Sequence, residues 1–338
     1  MNIGRFGWEG VPLFFVLSGF LITSILRRSR TNKSFWGPFY VKRAARILPP
    51  LVIAFALAFL FSTVAWRQVG LYEVFFAANF AAWLHPGSTA SLTVLWSLAV
   101  EEQFYLFWPF AIRYLERKHL IRLLAAVLIA EPILRGIVTP FHKTIWFVFY
   151  LTPFQLDGLA AGSLMAILVE DESTAVILKN WGGKVFGLIA IVFASLSITN
   201  GFHRDANSVL FNSLGYSLVY LGSACLIAHV LLCPSSSISR ALEWKPAVFL
   251  GAISYGFYLF HPIGIALMEK LGSELHFVHY RTLAPIAFAG VAAFSFLSFR
   301  YYESRFIAWG KTVGARLQTS AAGKQNTSLL NSGVPAAE

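Results

Sequence analysis

The 338-residue chain predicts an all-α fold, a polytopic transmembrane helix bundle. Its composition is 57% hydrophobic and 13% charged, with a mean hydropathy of +0.64, whereas soluble domains carry roughly 25% charged residues. Apolar runs recur near the ~20 residues that a helical crossing needs, in place of the shorter alternating strands of a β-barrel. Lys and Arg gather in particular connecting segments, as membrane topology requires. No cleavable signal peptide is evident.

Arg27, Arg28, Arg30, Lys33, Lys42, Arg43 and Arg46 lie between the first two apolar segments with no acidic residue among them, which makes that loop cytoplasmic. Arg113, Arg117, Lys118 and Arg122, against Glu116 alone, mark a second cytoplasmic loop. An even number of crossings must separate the two. Leu71 to Leu84 therefore reads as a buried or re-entrant helix, which its ~14-residue length also favours. The formal net charge of +11 is topological on this reading and implies no nucleic-acid partner.

Carrying the alternation onward gives spans near 11–26, 51–66, 94–112, 120–138, 145–169, 185–199, 209–232, 247–268 and 283–302, nine crossings with the C-terminus inside. The loop 170–184 mixes both signs, while Arg240 and Lys245 support the next cytoplasmic loop. An odd number puts the N-terminus outside, and one further helix ahead of Met1 would make ten with both ends cytoplasmic. The expected division is a membrane domain over 1–310 and a disordered cytoplasmic tail over 311–338, where Ser, Ala, Gly, Asn and Gln leave little apolar surface to bury. Cys225 and Cys233 read as small packing residues, and no metal-ligand spacing occurs.

In WSLAVEEQFYLFWP, Glu101 and Glu102 sit inside an otherwise apolar crossing. A central charge there costs roughly 2.5–3.5 kcal/mol on insertion scales, so an acid is protonated, paired or facing a polar cavity. Helical geometry separates the two by about 100°, and Glu101 shares its face with Ser97, Tyr105 and Trp108. The plainer alternative is a carboxylate that anchors helices. In VKRAARILPP, Arg43 and Arg46 place two guanidinium forks side by side, suited to phosphate oxygens; the alternative is contact with anionic lipid. Pro49 and Pro50 suit the opening of the following helix. In GAISYGFYLFHPIG, Ser254, Tyr258 and His261 line one face beside Pro262, where His261 is a candidate proton carrier or a hydrogen-bonder filling the backbone site that proline frees. Glu131 has Arg135 four residues later for a local ion pair, Asp157 reads as a structural hydrogen-bonder beside Gly158 and Gly162, and Ser18-Gly19 reads as close packing since no triad partners can be assigned.

Taken in order, GVPLFFVLSGFLIT, RAARILP, WSLAVEEQFYLFWP, LDGLAAG, ISYGFYLFHP and YYESRF closely resemble the acyltransferase-3 family of integral membrane O-acyltransferases, from about Gly7 to Phe306. The resemblance implies a ten-helix protein of the cytoplasmic (inner) membrane that takes an acyl group, often acetyl, from cytosolic acyl-coenzyme A. It implies a hydroxyl of an extracytoplasmic carbohydrate or glycolipid as acceptor. Arg43 and Arg46 match the family's Arg-x-x-Arg motif, linked to the donor's phosphates; Glu101 matches its intramembrane Glu and His261 its late His-Pro motif. Pro12, Gln155 and Arg305 depart from common patterns. The family's first helix, with an Arg and the His taken as catalytic base, has no counterpart in this sequence. The expected activity is acyl transfer, with Glu101 and His261 as candidate catalytic residues, Arg43 and Arg46 as the donor-binding pair, and no metal. A non-enzymatic carrier, or an inert relic that only binds, are the alternatives.

Overall fold

The computed structural model describes residues 10–199, 207–275 and 280–331, and the side chains of these except 199, 272–283 and 320–331. Every regular element among them is helical. In chain order they are α1 (Gly10–Arg28), α2 (Trp36–Leu60), α3 (Trp66–Val74), α4 (Ala78–Leu84), α5 (Leu95–Tyr114), α6 (Arg117–Val138), α7 (Trp146–Tyr150), α8 (Leu156–Leu168), α9 (Glu172–Thr199), α10 (Tyr216–Leu232), α11 (Ser237–Leu242), α12 (Lys245–Leu275), α13 (Tyr280–Ser298) and α14 (Ser304–Asn331). Single π-helical turns, Phe211–Gly215 and Phe299–Glu303, precede α10 and α14. Among the described residues, six stretches are long and apolar enough to cross a membrane: Gly10–Arg28, Trp36–Leu60, Glu172–Ile198, Phe211–Leu232, Lys245–Leu271 and Ala284–Thr319. The protein is a multi-pass, all-α membrane protein.

Several boundaries differ from the sequence expectation. The second span, expected at 51–66, begins at Trp36, so Pro49 and Pro50 lie inside α2 instead of opening a helix. Prolines are tolerated within membrane helices where neighbouring helices supply contacts; here Tyr255 of α12 donates to the Ile47 carbonyl, close to the proline pair, at 3.2 Å. The span expected at 145–169 is not one helix. It breaks into α7, a 3₁₀ turn at Thr152–Phe154 and α8, because Pro153 disfavours helical backbone in the residue before it and cannot donate to a helix. The mixed-charge loop expected at 170–184 is helical from Glu172 onward. Leu71 to Leu84 is two short helices, neither long enough to span. The chain turns between them at Phe76, whose φ of 54° is unusual for a bulky residue; the Gln103 side chain donates to its carbonyl at 2.9 Å.

The chain folds as two compact units, one from the described parts of Met1–Arg27 and Ala65–Val248, the other from Arg28–Val64 and Phe249–Glu338. In the first unit, α1 and α8 meet through glycine. A Cβ on Gly19 would lie 2.1 Å from the Leu159 carbonyl oxygen, and one on Gly162 1.9 Å from that of Val16; Ser163 adds a hydroxyl bond to the Gly19 carbonyl at 3.3 Å. This is the small-residue approach that membrane helices use when no hydrophobic effect draws them together. At the end of the same pair, Arg27 grips Glu170 at 2.6–2.8 Å, which places Glu170 on the side of the basic first loop. The unit's core is aromatic, with Phe15 edge-on to Trp96 at 5.9 Å and Trp96 4.5 Å from Phe149.

In the second unit, α14 packs along α2. A Cβ on Gly310 would fall 2.5 Å from the Ala45 Cβ, one on Gly314 2.7 Å from the Lys42 Cε, and Ser34 donates to the Leu317 carbonyl at 2.8 Å. Past residue 311, where a disordered tail is expected, the described chain continues as α14, with Gly314 against Lys42 of α2. Residues 332–338 of that expected tail lie outside the described residues. On the other side, α12 meets α13 where a Cβ on Gly264 would be 2.4 Å from the Val291 Cγ2.

Candidate functional site

Glu101 is buried on α5, 5% exposed. Its Oε1 lies within hydrogen-bond reach of the Ser18 hydroxyl from α1, at 2.5 Å, and of the hydroxyl of Tyr105, one turn along its own helix, and the two hydroxyls also lie close to each other, so that the three oxygens form one cluster. A turn further on, Trp108 Nε1 donates to Thr23 Oγ1 at 2.8 Å. The face expected from the offsets of four and seven residues is thus real, and it is turned toward α1. Ser97, the fourth member, bonds back to the Val94 carbonyl at 3.2 Å. Sequence reasoning named Ser18 as a packing residue, and Gly19 beside it does pack closely. It missed Ser18 as the donor to Glu101.

Two residues after Glu101, the chain points elsewhere. Gln103 donates to Asn79 at 3.2 Å and accepts from Thr152 at 2.5 Å, while Asn79 donates to Thr152 at 3.0 Å. This closed ring of amides and a hydroxyl ties α5 to α4 and to the break before α8.

A third polar centre holds the fully buried Arg135. It meets Asp157 in a forked pair at 2.6 and 3.1 Å, and also donates to the Phe154 and Asn212 carbonyls at 2.8 and 2.7 Å and to Ser217 at 2.6 Å. Asn212, whose carbonyl takes one of these bonds, lies in the π turn Phe211–Gly215. The local pair Glu131–Arg135 is present, at 3.4 Å. Glu131 has a closer engagement: its two carboxyl oxygens accept the backbone N–H groups of Leu156 and Asp157 at 3.0 and 2.9 Å, capping the first turn of α8. Asp157 is structural in this arrangement, as its sequence setting suggests.

The second unit holds the other candidates. Arg43 is half-buried and Arg46 exposed on α2. Glu303, buried in the π turn, accepts the Ser298 hydroxyl at 2.7 Å and lies close enough to Arg46 to feel its charge. His261 is half-buried on α12. Its Nδ1 is 2.8 Å from the Tyr258 carbonyl oxygen, and its ring stacks near that of Phe257, 6.2 Å between centroids and 10° between planes. Ser254, on the same expected face, bonds to the Gly251 carbonyl of its own helix at 2.9 Å. The structure thus places Arg43, Arg46 and His261 in one unit and Glu101 in the other. Among the described residues no group of three or more His, Cys, Asp or Glu is placed to hold a metal ion.

Comparison with known proteins adds to this geometry. The model of the acyltransferase domain family (acyltransferase 3) matches residues 3–300. YrhL of Bacillus subtilis (strain 168) is 29% identical over 305 residues, covering 81% of this chain and 47% of that protein. The peptidoglycan O-acetyltransferase OatA of Listeria monocytogenes serovar 1/2a is 27% identical over 336 residues, covering 88% of this chain and 51% of its own length. The O-acetyltransferase OatA of Staphylococcus aureus (strain NCTC 8325 / PS 47) is 26% identical over 334 residues, with 86% and 54% covered. The chain spans about half the length of the curated relatives it matches. No solved structure matches it. With its intramembrane carboxylate, its Arg-x-x-Arg helix and a family match along nearly all its length, the chain belongs to the acyltransferase-3 family.

Proposed function

We propose that this protein transfers an acyl group, acetyl by likeness to its named relatives, from cytosolic acyl-coenzyme A to a hydroxyl of a cell-envelope carbohydrate such as peptidoglycan. It resides in the cytoplasmic membrane, its acyltransferase part covers 1–310 and the segment beyond faces the cytoplasm. The observation that supports this above others is the family match, joined to a carboxylate, Glu101, buried among hydroxyl groups within the membrane helices.

The roles follow from chemistry. Arg43 and Arg46 receive the donor's phosphates, for which a permanently charged, planar fork is suited. The acceptor oxygen attacks the thioester carbonyl; a C–O bond forms, the C–S bond breaks, and the hydroxyl proton ends on the departing thiolate. A neutral hydroxyl needs a proton acceptor within hydrogen-bond reach for that step. His261 is the candidate proton carrier of one unit, and Glu101, in the other, is the candidate carboxyl for orienting or charge-balancing a base.

The reading is tested by following labelled acetyl from acetyl-coenzyme A into envelope glycan in membranes bearing the wild type, Arg46→Ala or Glu101→Gln. Both substitutions are expected to lower transfer at equal protein level, Arg46→Ala chiefly through a raised KM for the donor. Undiminished transfer in Arg46→Ala removes the donor-site assignment. Movement of glycan across vesicles with no acetyl consumed would replace transfer with transport.

A further inference from the structure

The helix α6 carries the chain roughly 33 Å away from the basic segment 113–122, and α7, which follows it, begins with Trp146 on the side opposite the one read as cytoplasmic. This large apolar side chain is 42% exposed. Tyr150, one turn on, lies nearly parallel to it, 5.3 Å between centroids and 13° between planes, and Phe149 stands edge-on to it at 5.9 Å. Both supporting rings are buried, and both pack on Trp96 in the first turn of α5, at 5.6 and 4.5 Å. One face of the indole thus rests on Tyr150 while the other carries no ring, and its N–H has no hydrogen-bond partner among the described residues. The exposed ring is held in register with the helix that carries Glu101, which comes five residues after Trp96 and so roughly 7–8 Å farther along the axis.

Such a surface suits a sugar. The face of an aromatic ring is its negative pole, and the C–H groups along one side of a pyranose carry a slight positive charge, so a sugar ring lies flat on an indole. The N–H, which points out in the plane of the ring, is then free for an oxygen of the neighbouring sugar. We propose that Trp146 is an acceptor subsite: one pyranose of the envelope glycan stacks on the open face of its indole, and Tyr150, Phe149 and Trp96 fix that sugar's place relative to Glu101. This rests on the reading of the acceptor as a carbohydrate that approaches from the extracytoplasmic side. Trp146 takes no part in bond making; it sets where the glycan lies. The aromatic belt of a membrane protein also puts tryptophan at the water boundary, but a belt residue only anchors its helix and has no bearing on acceptor affinity.

The test uses the purified full chain in lipid nanodiscs, with a soluble glycan of alternating N-acetylglucosamine and N-acetylmuramic acid as the acceptor probe and acetyl-coenzyme A as donor. Trp146→Ala is expected to raise KM for the glycan about ten-fold, with kcat and KM for acetyl-coenzyme A unchanged. Trp146→Phe, which keeps a flat ring, should recover most of that loss. An unchanged glycan KM in Trp146→Ala, or a Trp146→Phe as impaired as Trp146→Ala, overturns the proposal. Binding is read separately, without donor or turnover, by tryptophan fluorescence. The chain has ten tryptophans, so the contribution of Trp146 is the part of the glycan-induced shift that is lost in Trp146→Phe. That part is expected to be most of the shift. No shift in wild type, or one that survives whole in Trp146→Phe, also overturns the proposal. A wild type that moves no acetyl to the glycan would remove the transfer reading, whereas a fluorescence shift that depends on Trp146 would still establish the subsite.

Discussion

Ser18 donates its hydroxyl to Glu101 across 83 residues of sequence, joining α1 to α5 at 2.5 Å. A hydrogen bond contributes about 0.5–1.5 kcal/mol net, and the Tyr105 hydroxyl lies within reach of the same oxygen. The pair should therefore behave as a coupled unit. A double-mutant cycle of Ser18→Ala and Glu101→Gln, read by reversible unfolding in detergent, is expected to give a non-additive term of at least about 0.5 kcal/mol. Strict additivity would show that the hydroxyl and the carboxylate do not interact in the folded protein.

Where α1 crosses α8, the obstacles facing Gly19 and Gly162 are backbone atoms at 2.1 and 1.9 Å. Backbone cannot rotate away as a side chain does. Gly19→Ala or Gly162→Ala should force the helices apart, at a cost of about 1–3 kcal/mol or more, and lower the melting temperature. Gly290→Ala, where a new Cβ meets nothing within 4 Å, is the matched control and should leave it unchanged or raised. Equal effects at the two kinds of site would mean that the helices do not touch there.

Arg135 serves Asp157, Ser217 and two backbone carbonyls at once. Arg135→Met strands the Asp157 carboxylate in the interior and is expected to destabilise by roughly 3–5 kcal/mol. Arg135→Lys should rescue little of this, because a single ammonium cannot form the fork and reach both carbonyls. Replacing both members of the pair, Arg135→Met with Asp157→Leu, is expected to recover much of the loss. If the double variant is no more stable than Arg135→Met alone, the loss lies in the backbone contacts.

The helical class and the buried acid were legible because both are local signals: apolar runs of spanning length, and Glu101 in the midst of one. The wet face of α5 was legible for the same reason, since Tyr105 and Trp108 follow from helical spacing. Glu101's partner on α1 was not, because nothing local distinguishes a serine that donates to a distant carboxylate from one that only permits packing. Arg135 shows the limit in another form. Its neighbour at i−4, Glu131, was visible in the sequence, yet the shorter pair is with Asp157, and Glu131 spends its oxygens on the first turn of α8. The prolines misled in both directions: Pro49 and Pro50 are absorbed within α2, while Pro153 coincides with a break in what reads as a continuous apolar span. Tertiary neighbours decide which prolines interrupt a helix.

At the head of α9, outside the apolar crossing, Asp171 accepts the Ser173 hydroxyl at 2.5 Å and the Thr174 backbone N–H at 3.1 Å. The Ser173 hydroxyl, then the Thr174 N–H and hydroxyl, hold its carboxyl below the usual carboxylate value, with the charge of Arg117 acting in the same direction. Because the folded value is the lower one, the cap's contribution is fully present above the ordinary carboxylate range and is lost as pH falls through the depressed value. Asp171→Ala should therefore be less stable than wild type at neutral pH, and the difference should narrow in strongly acidic solution, where the wild-type carboxyl is protonated and keeps only a neutral acceptor oxygen. Asp171→Asn, which retains an acceptor oxygen without the charge, should fall between them at neutral pH. Paired melts of the three proteins across the acidic range measure this; a gap between wild type and Asp171→Ala that is as wide at the acidic end as at neutral pH would show that the carboxylate's charge does not contribute to the cap.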